Sequence, residues 1–283
     1  MIFLYFDFLR RALIAAVLVG LAAPAVGTFI VQRRLSLLGD GIGHIALTGV
    51  ALGFLTSTSP VVTAVIVAAA GAIAIELVRE HGRTSGDVAL ALLFYGGIAG
   101  GVLLIGLAPG GSSAALLGYL FGSISSVSAT DLYVIAGLAL AVLGVVVTFG
   151  RELFVLCQDV EVARVSGLPV RFLSVLVAVT AAVTVVIAMR VVGVLLVSAL
   201  MVVPVAAAQQ LTRGFRATIV LAMAVGVLVS LGGLTTAVYV DLAAGPAIVL
   251  LALTAFGVAV PAGSLVRRVR AAGGRREPER VTA

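Results

Sequence analysis

An all-helical, polytopic membrane protein is the fold class this sequence predicts, and three observations predict it. Of 283 residues, 62% are hydrophobic and only 11% charged, where a soluble domain averages about 45–50% apolar and about 25% charged. Apolar runs of roughly 20 residues, the length that crosses the hydrocarbon as a helix, recur along the whole chain. The arginines gather at the ends of those runs, where positive-inside bias places them.

The runs can be read off in order. Residues 8–31 and 35–55 are the first two, separated by Gln32, Arg33 and Arg34. Residues 60–78 form the third, closed by Glu76, Arg79, Glu80 and Arg83, and 88–107 the fourth. Between 108 and 130 the pattern breaks: Pro109, Gly110, Gly111 and two serines precede a short apolar piece, 114–121, too short to cross and expected to be re-entrant or interfacial. Residues 132–149 span again. The polar stretch 150–171 is expected outside the bilayer. Runs 172–189, 191–208, 218–236 and 247–266 complete about eight or nine spans, within one membrane domain over 8–266. The tail 267–283 carries Arg267, Arg268, Arg270, Arg275, Arg276 and Arg280, so it is expected to be cytoplasmic. Counting back from that anchor puts Arg33, Arg79, the 150–171 loop and Arg213 on the same side, and the N-terminus outside despite Arg10 and Arg11.

Composition also excludes functions. All 18 basic residues are arginine, so Walker A and Schiff-base chemistry, which need a lysine amine, are absent. One cysteine, Cys157, allows no intrachain disulfide, and there is no G-x-S-x-G or H-E-x-x-H motif. With two histidines in total, catalysis by this chain is not expected. The net charge of +6 is read as topology rather than as a nucleic-acid surface.

Ionisable groups inside a span cost roughly 2.5–3.5 kcal/mol on insertion scales and are functional candidates by default. Gly39-Asp40-Gly41-Ile42-Gly43-His44 sets an acid and an imidazole one helical turn apart on one face. A carboxylate with an imidazole suits Zn, Mn or Fe better than Ca or Mg. Two ligands leave the shell open, as a transport path requires, and two copies in a homodimer supply four. The competing reading is structural: Asp40 capping a helix or pairing with Arg33 or Arg34, His44 bonded to a carbonyl, and Gly39, Gly41, Gly43, Gly49 and Gly53 admitting a close helix. Glu76 with Arg79, and His81, read as surface groups at a helix end. Arg190 reads as solvated in an external connection, and Asp241, before Gly245-Pro246, as a group at the outer mouth. Asp159, Glu161, Ala163, Arg164, Gly167, Leu168 and Pro169 read as a short amphipathic helix with an acidic first turn, stopped by glycine and turned by proline. A helix outside the bilayer between two spans is a docking element.

Five motifs in order then carry a resemblance: RRLSLLGDGIGHIAL (33–47), TSGDVA (84–89), YLFGS (119–123), EVARVSGLPV (161–170) and VVGVLLVSAL (191–200). Over about 8–266 the chain resembles the ABC-3 family, the membrane permease subunits of zinc, manganese and iron ABC importers. The resemblance implies a homodimeric permease in the cell inner or plasma membrane, with a fold similar to the vitamin B12 importer permeases. It also implies a separate cytoplasmic ATPase, an extracytoplasmic metal-binding protein, and a divalent transition-metal ion as cargo rather than a bound cofactor. Asp40 and His44 then fall in the translocation path, and 161–170 matches the coupling helix that seats in the ATPase. Gly43 stands where a serine is common, Thr48 and Val160 where a proline is, and the missing hydroxyl at 43 bears on which metal is carried. Rival readings are a permease for a siderophore or corrinoid, which has no use for a ligating pair, and a secondary ion-coupled carrier, which has no use for a docking helix. Since metal ligands must be deprotonated, uptake is expected to fall as pH drops through the titration range of His44.

Overall fold

The computed structural model describes residues 7–80, 86–108, 118–122 and 128–274. Among them nine helices are long and apolar enough to cross a membrane: α1 (Asp7–Gln32), α2 (Leu38–Leu55), α3 (Pro60–Glu80), α4 (Gly86–Leu107), α5 (Ala129–Gln158), α7 (Val170–Met189), α8 (Val194–Leu211), α9 (Phe215–Val240) and α10 (Ala244–Gly274), with the short α6 (Val160–Val165) between α5 and α7. The expected count of eight or nine is met at its upper value.

Local chemistry sets the breaks. Arg34 takes a left-handed φ of 57° between α1 and α2, and Ser57 one of 54° before Pro60 opens α3, where a proline ring loses nothing because its N–H would have no partner. Asp241 ends α9 at φ 56°. Two expected boundaries move. Residues 150–158 continue α5 instead of leaving it as loop, because Leu153, Leu156 and Cys157 are buried on the body and the Cys157 thiol reaches the Phe29 carbonyl at 3.6 Å. Residues 267–274 of the basic tail extend α10. The serines at 123, 125 and 126, the 109–117 part of the interrupted segment, His81, Thr84, Ser85 and the end of the tail lie outside the described residues.

Helices α1, α2 and α7 bury most of their length, while α4, α5 and α10 face outward. The centre is built from small residues: Ala15, Ala16, Ala22 and Ala23 of α1 are fully buried, and a Cβ on Gly20 would sit 2.8 Å from the Gly226 carbonyl oxygen of α9. In lipid, helix association depends on such close backbone approach, since burying apolar side chains from lipid gains little. The outward faces remain apolar: Tyr133, Leu140, Val147, Leu228 and Val258 are all more than three-fifths exposed. Around this centre α2 packs on α3 and α4, α8 and α9 pack on α10, and α1 bridges to α5, α7, α8 and α9.

Candidate functional site

Asp40 lies in the first turn of α2 and His44 one turn further along, which puts their Cβ atoms about 5–6 Å apart, close enough to interact electrostatically. Neither structural role expected of Asp40 is present among the described residues. The position before α2 is Leu37, with no side-chain cap, and Arg33 turns away to the Ser174 hydroxyl at 3.1 Å and to Glu76. Asp40 instead lines an open cleft of about 420 Å³ with Leu37, Gly41, Leu90, Phe94 and Tyr95. His44 is 7% exposed and its ring meets the edge of Phe94 at 4.3 Å between centroids. Its Nδ1 is buried without a hydrogen-bond partner. Leaving a buried polar nitrogen unpaired costs about 1–3 kcal/mol, so the carbonyl expected on the structural reading is missing and a lone pair or N–H is held ready.

The wall behind the pair is rigid. A Cβ on Gly97 of α4 would fall 2.6 Å from the His44 backbone carbon, and Thr48 donates to the Gly97 carbonyl at 2.7 Å. On the other side a Cβ on Gly39 would meet the Ser198 hydroxyl at 2.7 Å, and one on Gly43 would meet a Val194 methyl at 3.2 Å. Gly49 and Gly53 lie against α3 in the same way. Gly41 departs from the expected close packing: its nearest neighbours are Leu90 atoms at 3.7 Å, and the space it leaves belongs to the cleft. Gly97, which fixes His44, was not singled out in the sequence, and GG or GxxxG spacing in α4 was the signal available.

Asp241 is exposed at the end of α9. No group of three or more His, Cys, Asp or Glu side chains able to hold a metal occurs among the described residues, so Asp241 is not gathered with Asp40 and His44. Among the described residues the pair has no third such ligand beside it.

Two expectations about charge are corrected. Glu76 is not a surface group: its side chain is 11% exposed, 2.9 Å from Arg79 and 3.6 Å from Arg33, because α3 packs on α7 and brings its end beneath the end of α1. Arg190 is not merely solvated. Its side chain is 14% exposed, ion-paired with Asp131 at the start of α5, and it donates to the Tyr119 hydroxyl at 3.0 Å. That cluster ties the 118–121 helical turn to α5 and α7. The same turn interlocks with the α7–α8 connection, where Gly193 at φ +89° leaves only 2.4 Å between a would-be Cβ and the Leu120 carbonyl oxygen.

The short helix between α5 and α7 forms as expected. Asp159 caps α6 by accepting from the Glu161 and Val162 amides, Arg164 makes a two-oxygen contact with Glu161, and Gly167 takes φ +76° before Leu168 and Pro169 turn into α7. Ala163 is fully buried and holds α6 on the body, so it does not face outward with its neighbours. Val162 and Val165, 54% and 88% exposed, are the outward apolar groups that sequence reading passed over.

The profile of the ABC 3 transport family matches residues 5–262. The chain belongs to that family. It is 35% identical over 256 residues, 90% of its length and 87% of the relative, to the manganese transport system membrane protein MntC of Halalkalibacterium halodurans. It is 29% identical, over 87% of its length and 94% of the relative, to the high-affinity zinc uptake system membrane protein ZnuB of Haemophilus influenzae. Among solved structures, the PsaBC complex of Streptococcus pneumoniae with a Fab superposes at a TM-score of 0.83 with 34% identity, covering 91% of this chain and 92% of that one. This chain is therefore a multi-pass membrane permease of the family, in keeping with the nine long apolar helices among its described residues.

Proposed function

We propose that this chain is the permease subunit of an ABC importer that moves a divalent transition-metal ion, of the Mn, Zn or Fe class, into the cell. The observation that carries the reading is the pairing of Asp40, in an open cleft, with His44, whose buried Nδ1 has no hydrogen-bond partner among the described residues. Relatives named for manganese and for zinc support the ion class. An oxygen and a nitrogen ligand from each of two copies make a four-ligand shell, and a homodimer meeting across the Asp40 cleft supplies it. The ion, released at the outer mouth by an extracytoplasmic binding protein, pauses at this shell and leaves by ligand exchange. No bond in this chain is made or broken.

Energy enters through α6. Its exposed Val162 and Val165 and its Glu161–Arg164 pair form a small amphipathic knob fixed to the α5–α7 connection, suited to a groove on a cytoplasmic ATPase. Cells expressing this chain with a binding protein and an ATPase test the reading by uptake of radiolabelled manganese, zinc and iron. Uptake that needs the ATPase and is inhibited by the other members of the ion class is expected. Uptake that persists without the ATPase would make the chain a secondary carrier instead.

A further inference from the structure

A second cleft lies away from the Asp40–His44 pair. It opens between the end of α5 and the start of α9, with a volume of about 820 Å³, at the arginine-rich end of the bundle that positive-inside bias makes cytoplasmic. Its charged lining is Arg151 and Arg216, with no carboxylate among the lining residues, and both arginines are exposed. Its apolar lining includes Val147, Phe154, Phe215 and Ile219. The aromatic wall is fixed in place, since the Phe215 ring lies 4.6 Å from Phe154 and edge-on to Phe29 at 5.4 Å.

The order of these groups along the helices is that of an amphiphile. Helix α5 arrives at this end and α9 departs from it. On each helix an apolar side chain lies about one turn from the guanidinium toward the middle of the helix, at Val147 (84% exposed) and at Ile219. We propose that this groove binds an anionic glycerophospholipid of the cytoplasmic leaflet. Its phosphate lies between Arg151 and Arg216, and one acyl chain runs along Val147 and Ile219 over the Phe154–Phe215 wall. Guanidinium forks match phosphate oxygens with paired hydrogen bonds. A zwitterionic headgroup carries its own cation against the two arginines, so the groove discriminates by net charge.

Native mass spectrometry of the purified full chain in detergent, titrated with phosphatidylglycerol and with phosphatidylcholine of matched acyl chains, tests this. At about 1 kcal/mol per arginine near the surface, the wild type is expected to prefer phosphatidylglycerol by at least about tenfold. The Arg151→Gln/Arg216→Gln double variant is expected to bind the two lipids nearly equally, while Arg213→Gln, outside the groove, keeps the preference. If the double variant does not fold, Arg216→Gln alone, at an exposed helix start, is expected to show an intermediate preference. Equal binding of the two lipids by the wild type overturns the proposal, as does a preference that survives the double substitution. A double variant that keeps its lipid preference but loses a copurifying ATPase or its second copy also overturns it, since the groove is then a protein interface.

Discussion

At the scale of single residues, the backbone that carries His44 is held by a close helix contact. Gly97 brings the α4 main chain onto the His44 carbonyl carbon, and Thr48 fastens it there. Adding a methyl group at Gly97 therefore forces the two helices apart, while the same change at Gly41 has room. Gly97→Ala is expected to lower stability by about 1–3 kcal/mol, seen as a reduced Tm in detergent, and to weaken uptake, whereas Gly41→Ala leaves Tm unchanged. Equal effects from the two would show that the α2–α4 contact does not fix the site. The Arg190–Asp131 pair makes a second case. Removing one member of a buried pair costs about 3–5 kcal/mol, while replacing both with apolar groups is often neutral. Arg190→Leu is expected to unfold at a clearly lower temperature than the wild type, and Arg190→Leu with Asp131→Leu to recover most of the loss; a double variant no better than the single one would mean that Tyr119, not Asp131, is the arginine's main partner.

At the scale of elements, α6 illustrates how far sequence carries. An acidic first turn, a glycine stop and a proline turn are all local signals, and each is present in the structure. Which face of so short a helix is buried depends instead on the neighbouring helices, so Ala163 turning inward while Val162 and Val165 turn outward was not legible. Val165→Asp, on the outward face, is expected to reduce copurification of the ATPase at least about tenfold with Tm unchanged, because a charge there must be desolvated on docking; undiminished copurification would remove α6 from the docking surface. The nine spans were legible for the same reason as the acidic first turn, since length and hydropathy act along the chain. Their ends were less so. The nonapolar residues of 150–158 pointed to a loop, yet α5 continues because its other face packs on α1. Glu76 and Arg190 were misjudged because their partners, Arg33 and Asp131, are 43 and 59 residues away, and neither composition nor spacing reports a partner at that separation. The Asp40–His44 pair was legible as a pair, being one turn apart, but its freedom from capping and carbonyl bonds became visible only with α4 and α7 in place.

At the scale of the whole molecule, two sets of packed helices, α2 with α3 and α4, and α8 with α9 and α10, are joined by the α2–α8 contact and through α7, while α1 packs on α7, α8 and α9. The Asp40–His44 pair stands on the first set, and Gly39 and Gly43 bring its helix against Ser198 and Val194 of α8 in the second. Helix α6 sits on the connection that enters α7, and α7 also packs on α2, so on the proposed function the docking helix and the Asp40–His44 pair are linked through one helix. A single chain offers one carboxylate and one imidazole and no third ligand among its described residues, which is why transport is assigned to a pair of chains. The central claim, that the ion passes between Asp40 and His44, is tested most directly by radiolabelled manganese and zinc uptake in cells expressing the importer with wild-type permease, Asp40→Asn or His44→Ala at matched membrane abundance and with the ATPase still copurifying. Uptake reduced at least about tenfold by either substitution is the predicted result; uptake equal to wild type in both would place the ion path elsewhere and leave the pair a feature of helix packing.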